Sequence, residues 1–223
     1  MKMLCPYAGA VALICLLPFP ALTAGQRAFK EQGFSVHIPD DYEELPADQV
    51  PEGMIAVYVK GDRTDANPDS VISVQSLGGL IGRDSHLKMS DMPKELAAQG
   101  FTLGKMMWNG HVIDTIEGKV SPSGVAMISV GAQLPLTPSA VQLNFASPAA
   151  EEAALRATAK TVVDSVIGTS NWDAPAVVMK KLSSEERITR FTQGIFQLAG
   201  FCLVVILIVR GARKKKVAIP KFP

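Results

Sequence analysis

The sequence predicts an α+β protein, in which an antiparallel meander sheet carries a C-terminal amphipathic helix and one transmembrane helix follows it. Three observations lead to this prediction. Segments of alternating apolar and polar residues recur between positions 101 and 145 and are separated by turns. An apolar stripe with helical spacing runs from 155 to 167. Residues 191–209 then form a stretch of nineteen residues without a charge.

The N-terminus has the order of a secretory signal peptide. Lys2 supplies a positive charge, residues 8–17 are apolar, Pro18 and Pro20 break the helix, and small residues surround Ala24. We therefore expect a signal peptide at 1–24 and a mature chain that begins near Gly25. Because residues 3–24 carry no charge, an uncleaved anchor remains the alternative.

Residues 25–168 are long enough for one extracytoplasmic domain of ordinary size. They contain eleven Lys and Arg against eighteen Asp and Glu, a net charge of −7. Phosphates would repel such a domain, so nucleic acid is not an expected partner. Cys5, Cys15 and Cys202 all lie in the apolar ends of the chain, so the domain has neither a disulfide nor thiolate chemistry.

The sequence of the first half of the domain predicts short strands and one short helix. Apolar and polar side chains alternate over residues 34–38, and Pro39 follows them, so a strand is predicted here. An acidic loop is expected at 40–52. Further strands are predicted at 54–60 and 71–77, and a helix at 93–99.

A four-stranded meander is the clearest local prediction. Asn109-Gly110 suits a type I′ turn, because both of its central residues need a positive φ. Turns at 121–124 and 135–138 separate the later segments. The four strands are predicted at 101–108, 111–120, 125–134 and 141–145.

The helix after the meander is expected to lie on the sheet. Ser147 is its predicted cap, Pro148 its first residue, and Gly168 its end. Its apolar stripe consists of Leu155, Ala159, Val162, Val163, Val166 and Ile167.

The remaining chain predicts a linker at 169–183, a helix at 184–210 and a basic cytoplasmic tail at 211–223. Ser183 to Glu186 opens the helix, and the span at 191–209 would be about 28 Å long. A helix buried in a soluble core is the alternative. The stop-transfer residues are Arg210, Arg213, Lys214, Lys215 and Lys216. The domain should lie outside, in a bacterial inner membrane facing the periplasm, or in a membrane of the endoplasmic-reticulum type as the alternative.

Two segments carry a resemblance to a known fold family. Gly33 to Asp40 reads Gly-Phe-Ser-Val-His-Ile-Pro-Asp, and Val141 to Pro148 reads Val-Gln-Leu-Asn-Phe-Ala-Ser-Pro. In this pattern, over about residues 29–168, the chain resembles the Mog1/PsbP-like fold, including the DcrB-type extracytoplasmic proteins. The resemblance implies a binding or assembly module, mostly without catalytic activity.

No catalytic, cofactor-binding or metal-binding residue is predicted. His37, His86 and His111 do not form a pair at metal-ligand spacing, and the glycine-rich segment at 78–83 lacks the phosphate-loop pattern. Asp114 occupies an apolar register, where a buried carboxylate could be catalytic with a raised pKa, although bonding to the backbone is more common.

Two groups of residues are candidates for contacts with partners. Trp108 and His111 flank the Asn-Gly turn and are predicted to bind a partner, unless Trp108 packs over the sheet. Gln193, Gln197 and Gly200 share a helix face and could pair transmembrane helices, unless they form a polar first turn at the headgroups.

The sequence is therefore interpreted as a membrane-anchored, extracytoplasmic binding or assembly module that acts through protein–protein contacts, with another membrane or periplasmic protein as its partner. An enzyme or enzyme subunit with a site that the sequence does not reveal is one alternative. A sensor that passes a signal through the span is the other.

Overall fold

A computed structural model describes residues 25–61, 70–121, 125–173 and 180–195. Its strands and helices, in chain order, are β1 (Gln26–Phe29), β2 (Phe34–His37), β3 (Tyr42–Glu44), β4 (Met54–Lys60), β5 (Ser70–Ser76), α1 (Lys94–Ala98), β6 (Thr102–Trp108), β7 (His111–Val120), β8 (Met127–Leu134), β9 (Val141–Pro148), α2 (Glu152–Asp164), β10 (Ile167–Gly168) and α3, which covers residues 184–195.

The main sheet has seven antiparallel strands in the order β3-β4-β5-β9-β8-β7-β6. Its second half is the predicted meander, because β6, β7, β8 and β9 each pair with the next strand. The type I′ turn is confirmed as well, since φ is 47° at Asn109 and 79° at Gly110. These pairings place the β6–β7 hairpin at the end of the sheet.

One face of the main sheet is covered by α2, as the apolar stripe predicted. Leu155, Ala159, Val162 and Val163 are buried against apolar residues of the central strands. The strand residues alternate, so that Val130 and Ala132 of β8 face this core while Gly131 faces the opposite side. This face holds the largest apolar core of the described chain.

The beginning of α2 differs from the prediction. The strand β9 continues through Pro148, and a 3-10 turn at Ala149–Glu151 follows, so Glu151 rather than Ser147 precedes the helix. The cap prediction for Ser147 is therefore wrong, because the ladder with β8 extends to the pair of Met127 and Pro148. The prediction that Ile167 belongs to the buried stripe is also wrong, because this residue lies in β10 and is exposed.

A second, three-stranded sheet was not predicted. Its order is β1-β2-β10, so that β10, which follows α2, returns to pair with β2. The predicted loop at 40–52 also contains β3 and a 3-10 turn at Ala47–Gln49. These strands have only two to four residues, which is too short for an alternating pattern to be recognised.

The opposite face of the main sheet carries α3. The helix begins at the predicted place with a capping box, in which the Glu186 amide donates to Ser183 Oγ over 3.2 Å and the Ser183 amide donates to Glu186 Oε2 over 3.0 Å. Ile188, Phe191 and Ile195 are buried in a cluster with Phe101 and other apolar side chains. The packed unit therefore extends beyond Gly168 and includes α3.

The packing of α3 bears on the predicted span at 191–209. Its first five residues lie in the described part of the chain, where Phe191 and Ile195 contact the domain. Residues 196–209 and the basic tail lie outside the described residues. Within the described ranges, no helix combines the length and apolar character that crossing a membrane requires.

Val162→Asp should strongly destabilise the domain. Val162 is fully buried between α2 and the sheet, and an unpaired charge at such a position costs roughly 3–5 kcal/mol. The free energy of unfolding, measured with denaturant, should fall by this amount. The control is Thr161→Asp at the exposed neighbouring position, which should change stability little. Equal stability of the two variants would show that this face of α2 is not buried.

Candidate functional site

A row of polar side chains lies on the sheet face beneath α3. The row crosses three central strands, and every member is buried. Gln133 Nε2 donates to Gln142 Oε1 over 3.0 Å, and Gln142 Nε2 donates to Asn144 Oδ1 over 2.7 Å. Asn144 Nδ2 then donates to Ser73 Oγ over 3.3 Å. The members of this polar row are Ser73, Gln75, Ser129, Gln133, Gln142 and Asn144.

The helix α3 lies close to the polar row at one glycine. A Cβ atom built on Gly194 would lie 2.6 Å from Gln75 Oε1 and 3.0 Å from Asn144 Nδ2. No side chain larger than hydrogen fits there without moving these amides. Two atoms of the row, Gln75 Oε1 and Ser129 Oγ, have no hydrogen-bond partner among the described residues.

Arg187 fixes the first turns of α3 to the sheet. Its Nε donates to Gln133 Oε1 over 2.8 Å, its Nη1 donates to the Ser85 carbonyl, and its Nη2 donates to Asp114 Oδ2. Only 1% of the Arg187 side chain and 3% of the Asp114 side chain are exposed. Burial lowers the pKa of the Arg187 guanidinium, although the charge of Asp114 opposes this shift.

Asp114 is the centre of a charged cluster that reaches the surface. Besides Arg187, its carboxylate accepts bonds from Lys105 Nζ and from the Leu87 amide, and His86 Nδ1 lies 3.2 Å from its Oδ1. Burial alone would raise the pKa of this carboxyl. The bond from Lys105 and the charge of Arg187 outweigh burial and hold the pKa below its usual value.

These contacts argue against a catalytic role for Asp114. A carboxyl group that serves as an acid or base near neutral pH needs a raised pKa, whereas that of Asp114 is lowered. Two basic side chains, Lys105 and Arg187, also share this one carboxylate. The group is therefore a structural anion that connects β7 to β6 and α3.

A second histidine–carboxylate pair lies near the β6–β7 hairpin. His111 Nε2 is 2.7 Å from Asp173 Oδ2, and Arg83 Nη2 is 3.7 Å from Asp173 Oδ1. The Trp172 ring stands edge-on to the His111 ring, with ring centroids 5.3 Å apart, and its Nε1 donates to the Ile81 carbonyl over 2.8 Å. The described residues of the predicted linker at 169–183 thus contact the domain.

The structure corrects the prediction for Trp108. Only 1% of this residue is exposed, and its Nε1 donates to the Val166 carbonyl over 3.1 Å, so it belongs to the core between the sheet and the end of α2. The interpretation of Trp108 as a contact residue for a partner is wrong, because a partner could not reach it. His111 is half-buried beside it and is paired with Asp173.

The candidates for transmembrane helix pairing are only partly described. Gln193 is exposed on α3, whereas Gln197 and Gly200 lie outside the described residues, as do the stop-transfer residues. Among the described residues, no group of three or more His, Cys, Asp or Glu side chains is arranged to hold a metal ion.

Sequence reasoning missed Arg187 and the polar row. A signal for Arg187 was available, because it lies one helical turn before Phe191 and so shares a face with an apolar residue. Gln142 and Asn144 alternate with apolar residues, a pattern that also fits a solvent-exposed face. Only the three-dimensional packing of α3 shows that this face is covered.

A scan against family models finds none that matches the chain, and a search of curated proteins finds no match. Solved structures do match. LpqN of Mycobacterium tuberculosis, described as involved in cell envelope biogenesis, is 19% identical with a TM-score of 0.41; the match covers 61% of this chain and 83% of LpqN. Cyanobacterial PsbP (CyanoP) of Synechocystis is 13% identical with a TM-score of 0.43; the match covers 69% of this chain and 99% of CyanoP.

The Ran-binding protein Mog1p of Saccharomyces cerevisiae is 11% identical, with a TM-score of 0.42, and the match covers 66% of this chain and 95% of Mog1p. The chain also spans about half the length, 54%, of a matching protein from Bacteroides thetaiotaomicron. The chain is thus similar to the Mog1/PsbP-like structures, as the segments at 33–40 and 141–148 predicted. At this level of similarity, the matches carry no argument about function.

Removing Arg187 should leave a buried carboxylate that is poorly paired. Arg187→Met should lower the free energy of unfolding by roughly 3–5 kcal/mol, the usual cost of breaking a buried ion pair from one side. Denaturant unfolding of the described domain would measure this loss. The matched control is Arg190→Met, at an exposed position on the same helix, which should be nearly neutral.

The same variant should change how stability depends on pH. In the wild type, the lowered pKa of Asp114 contributes stability above the ordinary carboxyl value of 3.8, and this contribution is lost as the pH falls through the lower folded-state pKa. The difference between wild type and Arg187→Met should therefore be largest above pH 3.8 and should shrink below it. A difference that stays constant across this range would contradict the role of the ion pair.

Proposed function

We propose that this chain is an exported, membrane-anchored binding or assembly module without catalytic activity of its own. The observation that carries the proposal is the burial of Arg187, which binds α3 to the sheet directly before the apolar segment at 196–209. A domain attached in this way is held close to the membrane in a fixed orientation. Such an attachment suits a module that presents a surface to another membrane or periplasmic protein.

The charged groups of the domain support a binding role. Asp114 and Arg187 are buried ionisable groups that bond to one another and to neighbouring polar groups. The pKa of the Asp114 carboxyl is lowered, whereas general acid–base chemistry needs a raised one, and burial also lowers the pKa of Arg187. Both side chains are held by their partners. His111 is held by Asp173 and Trp172 in a similar way. These side chains maintain the fold and leave the surface of the domain as the functional element.

The packing of α3 limits the length of the proposed anchor. Because Phe191 and Ile195 contact the domain, only the uncharged residues 196–209 remain to enter the bilayer. Fourteen residues in a helix give about 21 Å, against a hydrocarbon thickness of about 30 Å. A short span of this kind is accommodated by local thinning of the bilayer and by flanking side chains that extend to the headgroups, a role that suits Arg210 and Arg213.

Membrane association should require the residues after Ile195. The full chain, expressed in a Gram-negative bacterium, should stay with the membrane after alkaline carbonate extraction. A chain truncated after Ile195 keeps α3 and should be released in soluble, folded form. Release of both chains, or retention of both, would contradict the proposed anchor.

Export should remove the N-terminal segment and leave the domain outside. Intact-mass measurement should find a mature chain that begins near Gly25, and protease added to intact spheroplasts should digest the domain. A mature chain that still begins at Met1, or a domain that is protected until the membrane is broken, would contradict the proposed topology.

A further inference from the structure

Among the described strands, β6 is the last of the main sheet and has one unpaired edge. In the described chain β6 pairs only with β7, and no further strand follows it in the sheet order. Trp108 and His111 close a two-residue turn and so form a hydrogen-bonded pair, after which bonded and non-bonded pairs alternate along the ladder. The backbone groups that point away from the sheet therefore belong to Leu103, Lys105 and Met107.

Apolar surface is exposed beside this edge. Met107 is 52% exposed and lies directly opposite Val112, which is 43% exposed, on the neighbouring strand. Both side chains lie on the face that carries α3, because Trp108 and Ile113 occupy the opposite face and its core. Methionine side chains adapt well to different apolar partners.

A local positive charge lies two residues from this apolar pair. Lys105 and Arg187 share the single carboxylate of Asp114, so these three side chains carry a net charge of +1. Arg187 is buried, whereas 45% of the Lys105 side chain is exposed. The Lys105 ammonium has three protons, so it can donate to a further acceptor besides Asp114.

From these observations we propose that β6 is the partner-binding edge of the module, and that the partner is an extended peptide segment which adds to the sheet as an eighth strand. This inference rests on the proposed binding function and specifies its partner. Side chains on one face of a strand are two residues apart. The partner strand should therefore place an acidic residue opposite Lys105 and an apolar residue, two positions away, opposite Met107.

A second copy of this chain fits the edge less well. Antiparallel pairing of two β6 strands about Lys105 would place two ammonium groups directly opposite each other, which is unfavourable. A lysine on an edge strand is a common protection against such self-pairing. An acidic peptide turns the same lysine into an attractive contact, and pairing along free edges is an established mode of peptide recognition.

The test uses the full chain in detergent and fluorescent seven-residue peptides rich in β-branched residues. Two probe peptides have Glu at the centre. One has Leu two positions before the Glu, and the other has Leu two positions after it; these are the two orders of the Glu peptide. One control peptide has Gln in place of Glu, and another carries N-methyl groups on the amides that would face β6. Fluorescence anisotropy measures the dissociation constants, and thermal melting confirms that each protein variant is folded.

The Glu peptide should bind about tenfold more tightly than the Gln peptide, the effect of one charge-assisted hydrogen bond, and the N-methylated peptide should not bind. Lys105→Gln should abolish the preference for Glu, whereas Lys119→Gln, at an exposed lysine of β7, should keep it. Met107→Ser should weaken binding, whereas Met89→Ser, at a methionine of equal exposure outside β6, should not.

Two results would overturn the inference. One is the absence of binding to both orders of the Glu peptide, or binding that Lys105→Gln and Met107→Ser leave unchanged. The other is a wild-type dimer, measured by sedimentation, that Met107→Ser converts to a monomer, because the occupant would then be a second copy. Neither result would affect the proposed anchoring, which carbonate extraction tests separately.

Discussion

The buried ion pair between Arg187 and Asp114 is the interaction on which the rest of this structure depends. It joins α3, which is late in the sequence, to the central part of β7. Through the same side chains it also holds Ser85 and Leu87 of the connection between β5 and α1. A buried pair of this kind adds little net stability compared with apolar residues of the same volume, because both charges lose their hydration. Its value lies in specificity, since a shifted helix would leave Arg187 buried without its anion and would leave Asp114 with Lys105 as its remaining cationic partner.

The polar row beneath α3 follows the same principle. A sheet face that a helix covers is usually apolar, as the opposite face is under α2. Here Gln133, Gln142 and Asn144 bond to one another along the surface and to the helix only through Arg187. A buried amide group that lacks a hydrogen bond is costly, so these amides restrict the position of α3 more than methyl groups would. Gly194 permits the close approach that this arrangement needs.

The sequence predicted those parts of the fold that arise from local patterns. The meander from β6 to β9, the Asn109-Gly110 turn and the buried stripe of α2 all follow from periodicity or from turn chemistry. The small sheet could not be predicted, because β10 has two residues and its pairing with β2 joins distant parts of the chain. The charged cluster was missed for the same reason. Asp114 and Arg187 lie far apart in the sequence and meet only after α3 packs on the sheet.

The prediction for Trp108 shows a different limit. A tryptophan beside a tight turn resembles a contact residue, but strand alternation places Met107 and Trp108 on opposite faces of the sheet. Which face is covered near the end of a hairpin depends on the elements that pack there, and α2 covers the side of Trp108. The hairpin thus has one residue that stabilises the core and, next to it, one that is exposed to solvent.

Asp114 connects the proposed partner edge to α3, the helix that precedes the proposed anchor. Its Oδ1 accepts from Lys105 on β6, and its Oδ2 accepts from Arg187 on α3. An acidic side chain that bound Lys105 would draw part of the lysine's hydrogen-bonding capacity away from Asp114. The carboxylate would then depend more strongly on Arg187, because a buried anion must keep its cationic partner. Occupation of the edge should therefore make the attachment of α3 to the sheet depend more strongly on the pair of Arg187 and Asp114.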